Sequence, residues 1–335
     1  MTQSLDHFDR AASLVLSGAV GVGKTVIALA LLHHDRVEAT FGSGRHFMRC
    51  DDLPNSLTSF LERLSDAIGL PPLGTMELLR PRLLSRLHPL MLVLDGVECL
   101  LDSLAVDSKE IATAIEEISQ CRNACLLVTS RMVIDIPGFQ TIEVPTLSAG
   151  GARDIFYSLC SLDRSTAIDD LIENLDFHPL SIVLLARVAR EKGWDESGLL
   201  RGWADGQTDA LKLDDDRSLA AAIESALAVP TIQQLGFAAQ ETLEAFAAFP
   251  DGVDETRMFP TIGGARETAD VLRRFYLVEH HDGFVRMLSP FRFHFLQQAL
   301  TIFHVLEDGG NDDHPVVEEE YIPCYAAPGG SSPIS

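Results

Sequence analysis

Up to residue 145 the chain alternates between two apolar patterns. One is a short run with few or no polar breaks: residues 12–17 (ASLVLS), 90–95 (LMLVLD) and 124–131 (ACLLVTSR). Runs of this length fit strands buried on both faces of a parallel sheet. Residues 45–50 (RHFMRC) alternate as a second strand would, and 141–145 (TIEVP) make a short fifth. The other pattern is helical. Residues 25–34 are long and apolar enough for a helix, Leu57, Phe60, Leu61, Leu64 and Ile68 recur at helical spacing, and 111–119 (IATAIEEIS) read as a further helix. Strands alternating with helices predict one α/β domain, a parallel sheet with helices on its faces, over residues 1–147.

Beyond residue 145 the strand signals stop. SAGGARDIFYSLC, AIDDLIENLD and HPLSIVLLARVAREKG all read as helices and predict a small helical domain over 148–206. A polar stretch over 207–216 reads as a linker. SLAAAIESAL and QETLEAFAAF are further helices, and LVEHHDGFVRML carries two strand-like runs around Asp282-Gly283, a hairpin turn signal. Helices followed by one hairpin predict a winged-helix-like domain over 217–303. Residues 304–335 turn acidic and then Gly/Ser/Pro-rich, the composition of a disordered tail.

Charge and cysteine usage narrow the partners. The chain has 335 residues, 49 acidic against 26 basic, for a formal net charge of -23. Phosphate contacts need Lys and Arg, so nucleic acid is an unlikely partner for the bulk surface. Six scattered cysteines include no C-x-x-C pair and predict buried free thiols rather than a zinc site or a disulfide framework. The opening residues MTQSLDHFDR lack the apolar core of a signal peptide, and no apolar run approaches the ~20 residues of a membrane helix. The expectation is a soluble cytoplasmic protein with no membrane contact.

The chemistry concentrates in three places. Gly18 to Thr25 (GAVGVGKT) fits G-x-x-x-x-G-K-T between a predicted strand and a predicted helix. In such a loop the backbone N–H groups of Gly18, Ala19, Val20, Gly21, Val22 and Gly23 turn towards phosphate oxygens, helped by the positive end of the following helix. Lys24 reaches the β- and γ-phosphates, the Thr25 hydroxyl ligates Mg²⁺, and Val26 completes the binding segment. Asp95 closes the apolar run LMLVLD, where a second Mg²⁺ acid belongs. Glu98, three residues on, is either a base that polarises the attacking water or a solvated helix-start acid. Arg131 ends LLVTSR at the carboxyl end of a predicted strand, where nucleotides bind. It is either a bidentate partner of the γ-phosphate or one half of a surface ion pair.

In this order the motifs resemble those of STAND-class P-loop NTPases of the NB-ARC type, the class of fungal NLR-like proteins, over residues 14 to about 300. GAVGVGKT resembles the family's Walker A motif, LVLDGVE its Walker B, and LLVTSR its sensor-1 strand. FHPLSIVLLA resembles its G-L-P-L-A motif, and there the resemblance implies that Pro179 and Leu180 pack against the base; the stretch read alone is a buried helix with Pro in its first turn. LEAFAAFPDGV resembles the opening of the winged helix in fungal members. Three departures stand out. Gly96 occupies the second place of an acid pair that many members carry, which implies slow hydrolysis unless Glu98 substitutes. Leu288 and Ser289 stand where a His-Asp sensor of the ADP β-phosphate would be, with Arg292 or His294 as candidate replacements. The family usually carries a segment before the first strand, an effector domain and repeats, and this chain reads as a truncated member, a minimal regulator or a fragment.

Two functions follow. The first is a nucleotide-operated signalling switch, binding ATP and ADP with Mg²⁺ and hydrolysing slowly, with self-association or association with related NTPases as output; the resemblance implies a role in innate immunity or programmed cell death. The alternative is a non-catalytic remnant that binds nucleotide and acts as a partner or decoy of full-length relatives. A metabolic kinase would need an Arg-rich acceptor lid, and a GTPase an N-K-x-D motif; neither occurs in the sequence.

Overall fold

The computed structural model describes residues 13–206, 211–214, 217–259, 265–281 and 283–308. Its first half is built on five strands: β1 (Ser13–Ser17), β2 (Arg45–Arg49), β3 (Leu90–Asp95), β4 (Ala124–Ser130) and β5 (Phe139–Glu143). They pair in parallel in the order β2-β3-β4-β1-β5. The helices between them are α1 (Lys24–Leu32), α2 (Asp35–Phe41), α3 (Leu57–Ala67), α4 (Met76–Leu84), α5 (Glu98–Leu101) and α6 (Ser108–Ser119). An α/β P-loop NTPase fold with a five-stranded parallel sheet is therefore present.

The sequence pattern explains the order of the strands. The unbroken apolar runs are the inner ones: β1 and β4 are buried throughout, and β3 up to its terminal acid. The alternating run is edge strand β2, and the other edge, β5, is half-exposed. β5 runs over Phe139–Glu143 rather than 141–145, because Pro145 has no N–H for the ladder and the last bond is Val144 N–H to the Ser17 carbonyl, at 2.8 Å. In α3 the residues at helical spacing, Phe60, Leu61 and Leu64, are fully buried, as is Ile68 at its end. Helices α2 and α4 leave weaker signals: α2 has seven residues, and α4 carries Pro81 inside.

Four helices follow: α7 (Ala149–Leu159), α8 (Thr166–Asn174), α9 (Pro179–Glu191) and α10 (Glu196–Gly206). Ser148, Ser165 and His178 cap the first three, each accepting a backbone N–H of the first turn. The C-terminal part holds α11 (Leu219–Leu227), α12 (Pro230–Leu235), α13 (Phe237–Ala247), β6 (Val253–Asp254), α14 (Glu255–Met258), α15 (Ala265–Arg274), β7 (Glu279–His281), β8 (Phe284–Arg286) and α16 (Ser289–Asp308). The expected hairpin is β7–β8, and β6 adds to it antiparallel in the order β6-β8-β7. Helix α13 begins before residue 240, and α12 and α14 were too short to read from periodicity.

Leu288 and Ser289, set above against a His-Asp sensor, stand at the start of α16, which has Pro290 in its first turn and continues to Asp308. The first residues of the expected tail, 304–308, are thus within α16. Residues 309–335, and the linker positions 207–210 and 215–216, lie outside the described residues. The chain divides into Met1–Ala299 and Leu300–Ser335, the second contributing only the end of α16 to the description. Among the described residues no helix is long and apolar enough to cross a membrane. Of the described cysteines, none is in a disulfide; Cys50, Cys121, Cys125 and Cys160 are buried, and Cys99 is half-buried.

Candidate nucleotide-binding site

The loop between β1 and α1 leaves the carboxyl end of an inner strand and enters α1 through Gly23, whose φ of 98° suits glycine. Lys24 is 8% exposed and folds back over the loop, its Nζ donating to the Gly18 and Ala19 carbonyls at 2.8 Å each. Burial pulls its ammonium down to about 8; the Arg131 guanidinium acts in the same direction, and the Glu98 and Asp95 carboxylates oppose them. Thr25, next in the helix, donates its hydroxyl to Asp95 at 2.8 Å.

Asp95 ends β3 and faces Thr129 of β4 across the parallel ladder. It also accepts from the Thr129 hydroxyl at 2.6 Å, and Thr129 Oγ1 in turn accepts the Gly96 N–H at 3.0 Å. Each hydroxyl keeps lone pairs beside the carboxylate, so Thr25 and Asp95 form the small hard-oxygen set that Mg²⁺ prefers. Gly96 has φ 77°, and a Cβ there would lie 3.5 Å from the Cβ of Asp51. The backbone, rather than open space, disfavours a second acid at this position.

Glu98 is 0% exposed, so it is not a solvated helix-start acid. Its carboxylate pairs with Arg131 Nε and also accepts the Arg131 backbone N–H at 3.2 Å. Arg131 follows β4, is largely buried, and donates Nη1 to Ser225 Oγ of α11 at 2.9 Å. It is thus part of an ion pair, but one that faces inwards.

These groups line a cleft of about 690 Å³ that also includes Val20, Gly21, Gly23 and Val26. One wall is apolar: Pro179, Leu180 and Val183 of α9 stand on it with Val26, which is 69% exposed, and Leu29. Arg292 and His294, the candidate sensor replacements, do not line this cleft; of the other candidate residues all but Gly18, Ala19 and Val22 do. Those three face a second cavity behind the loop, of about 580 Å³.

The rear of the loop holds a residue that the pattern reading did not single out. His178, the N-cap of α9, is fully buried. Its Nε2 lies 2.8 Å from the Val20 carbonyl, and the Leu180 N–H donates to the Gly21 carbonyl at 3.1 Å. Gly21 is needed for this approach, since its φ is 79° and a Cβ would lie 2.7 Å from His178 Cε1 and 2.8 Å from Leu180 Cβ. The signal available in the sequence was a His directly before the Pro of a helix start.

Comparison with known proteins agrees at the level of the domain. Residues 7–134 match the model of a family described as AAA domain. No curated protein matches the sequence. Among solved structures, a Walker-type ATPase of Pyrococcus abyssi superposes with a TM-score of 0.64 at 15% identity, over 88% of this chain and 94% of that one. A STAND protein with a tetratricopeptide repeat sensor from Pyrococcus horikoshii gives 0.39 at 12% identity, over 92% of this chain and 45% of its own. The Drosophila origin recognition complex bound to DNA gives 0.41 at 13% identity, over 88% and 85%. The parallel sheet and the loop with its acid-ended neighbouring strand agree with these likenesses on a P-loop NTPase fold, with residues 7–134 similar to an AAA domain.

Proposed function

We propose that this chain is an ATP/ADP-binding switch of the STAND class and NB-ARC type, with slow hydrolysis resetting it. In this reading the helices over 148–206 and the part over 217–303 are its helical and winged-helix domains. One observation carries it: Arg131, the candidate reader of the γ-phosphate, is bonded at once to Glu98 and to Ser225 of α11. A ligand moves a two-state protein only through contacts that differ between the states. A γ-phosphate competes with Glu98 and Ser225 for the guanidinium; ADP, lacking it, leaves both contacts in place. ATP thereby loosens α11 and frees the Glu98 carboxylate to polarise water. The inner position of Glu98 and the glycine at 96 both favour a low turnover.

The phosphates lie over the loop, with Lys24 against the β- and γ-oxygens, and the base stacks against Pro179, Leu180 and Val26. Thr25 and Asp95 would hold Mg²⁺, which supplies charge neutralisation at the β- and γ-phosphates. The Arg-bearing segment near β8 is engaged within the chain: Arg286 pairs with Asp176, Arg273 with Asp270, and Arg266 lies over the Phe259 ring. That supports contacts between parts of the chain, or with further copies or related NTPases, over a nucleic-acid face.

The test is ADP and ATP affinity of the wild type, Lys24→Ala and Arg131→Ala. The switch reading expects wild-type binding, none by Lys24→Ala, and selective loss of ATP affinity in Arg131→Ala. No binding by the wild type sinks it. The burial of Glu98 against Arg131 also favours a second reading, a nucleotide-binding remnant without turnover; tight ATP binding with no phosphate release would select it.

A further inference from the structure

Four carbonyls of the phosphate loop are engaged by groups of the chain itself. Those of Gly18 and Ala19 accept from Lys24, within the loop itself. Those of Val20 and Gly21 accept from His178 Nε2 and the Leu180 N–H, in the first turn of α9. A carbonyl only accepts, so Nε2 of His178 carries the hydrogen. Nδ1 is then the acceptor, 2.8 Å from the Ser181 hydroxyl and 3.4 Å from the Ser181 N–H. Full burial pulls the ring down to about 4, with Lys24 acting in the same direction and the hydrogen bond to the Val20 carbonyl and, less, Asp176 opposing, so this one neutral tautomer persists through the neutral range.

The same short segment is tied to the C-terminal part. Asp176 accepts from Arg286 Nη2 and from the Ser289 N–H that opens α16, both at 2.5 Å. The His178 ring meets Phe291 of α16 edge-on, with centroids 5.5 Å apart. Between these anchors Asp176 and Phe177 both hold left-handed φ values, 50° and 54°. Such values persist in non-glycine residues where surroundings fix them.

We propose that His178 is a positioning residue of the nucleotide site: it holds the Val20 carbonyl behind the loop, keeping the loop N–H groups turned to the phosphates. The inference rests on the nucleotide-binding reading above. A carbonyl freed from this hold can swing into the cleft, where it repels phosphate oxygen. The phosphate face is therefore preorganised from a residue 158 positions along the chain from Val20.

Two conservative variants separate this role from helix capping. His178→Gln can place an N–H where Nε2 stands but forfeits the cap; His178→Asn keeps a good cap but cannot reach Val20. Calorimetry with Mg²⁺ and ADP should find His178→Gln within about threefold of wild type and His178→Asn weaker by about tenfold, the effect of one buried hydrogen bond. Equal affinities, or tighter binding by His178→Asn, would overturn the proposal. Hydrogen exchange at the amides of residues 21–24, without nucleotide, reads the same hold: faster exchange in His178→Asn than in His178→Gln supports it, and equal rates contradict it. A wild type that does not bind ADP, with exchange still faster in His178→Asn, overturns the nucleotide reading and leaves the loop hold standing.

Discussion

The two sides of the phosphate loop are built on different terms. The cleft side is made of ionisable and hydroxyl groups, Lys24, Thr25, Asp95, Glu98 and Arg131, contributed by the strand ends and helix starts of one sheet. All of them bond to one another or to the loop, as groups do that can exchange those partners for a ligand. The rear side is close-packed: His178 is sealed from solvent, and Gly21 leaves no room for a methyl group. The cleft side supplies charge; the rear side fixes where the backbone points. Substitutions on the two sides should therefore fail differently, the first losing ligand without losing fold, the second losing both together.

The sharpest contrast comes from Lys24→Ala against Gly21→Val. Lys24→Ala removes the main cation at the phosphates and should weaken ADP by on the order of 100-fold or more while leaving thermal stability near wild type. Gly21→Val drives two methyl groups into His178 and Leu180 at a positive φ. It should lower unfolding stability by about 3 kcal/mol in denaturant titration and abolish binding as well. A stable Gly21→Val protein would break the distinction.

Acid sharpens it next. The His178 ring titrates near 4 in the folded chain against 6.5 ordinarily, because burial disfavours its charged form. A depressed histidine contributes stability that is complete above about pH 6.5 and is lost as pH falls towards 4, where the unfolded chain binds the extra proton. Wild type should therefore lose about 3 kcal/mol more than His178→Gln between pH 7 and pH 4, measured by urea unfolding at each pH. Parallel curves for the two proteins would mean that the ring is not held neutral.

The smallest effect belongs to Ser225→Ala. It removes one partner of Arg131 and should raise ATP affinity relative to ADP by only about twofold to fivefold, in competition binding, with no change in stability beyond about 0.5 kcal/mol. An unchanged ratio would detach α11 from the nucleotide reading.

How much of this was legible in the sequence follows the same division. The inner strands announced themselves because burial on both faces demands unbroken apolar runs, and the loop because its chemistry needs glycines, a lysine and a hydroxyl at fixed spacing. Asp95 was found because it ends such a run. Glu98 and Arg131 were visible as candidates, but their mutual bond was not, since it joins the start of α5 to the residue after β4 through space. The hold on Val20 and Gly21 was least accessible: it depends on how α9 docks, which no local period records. FHPLSIVLLA drew notice for Pro179 and Leu180, while its histidine passed as part of a helix start. Likewise, Pro290 in its first turn hid the start of α16.

The central claim, that the cleft over this loop holds an adenine nucleotide, is tested most directly by what the purified protein carries. Wild-type chain should release ADP or ATP on denaturation, identified by chromatography and mass, and Lys24→Ala prepared in parallel should release none. Release of GDP, or calorimetry in which the nucleotide-free wild type takes up neither ADP nor ATP in the presence of Mg²⁺, would contradict it.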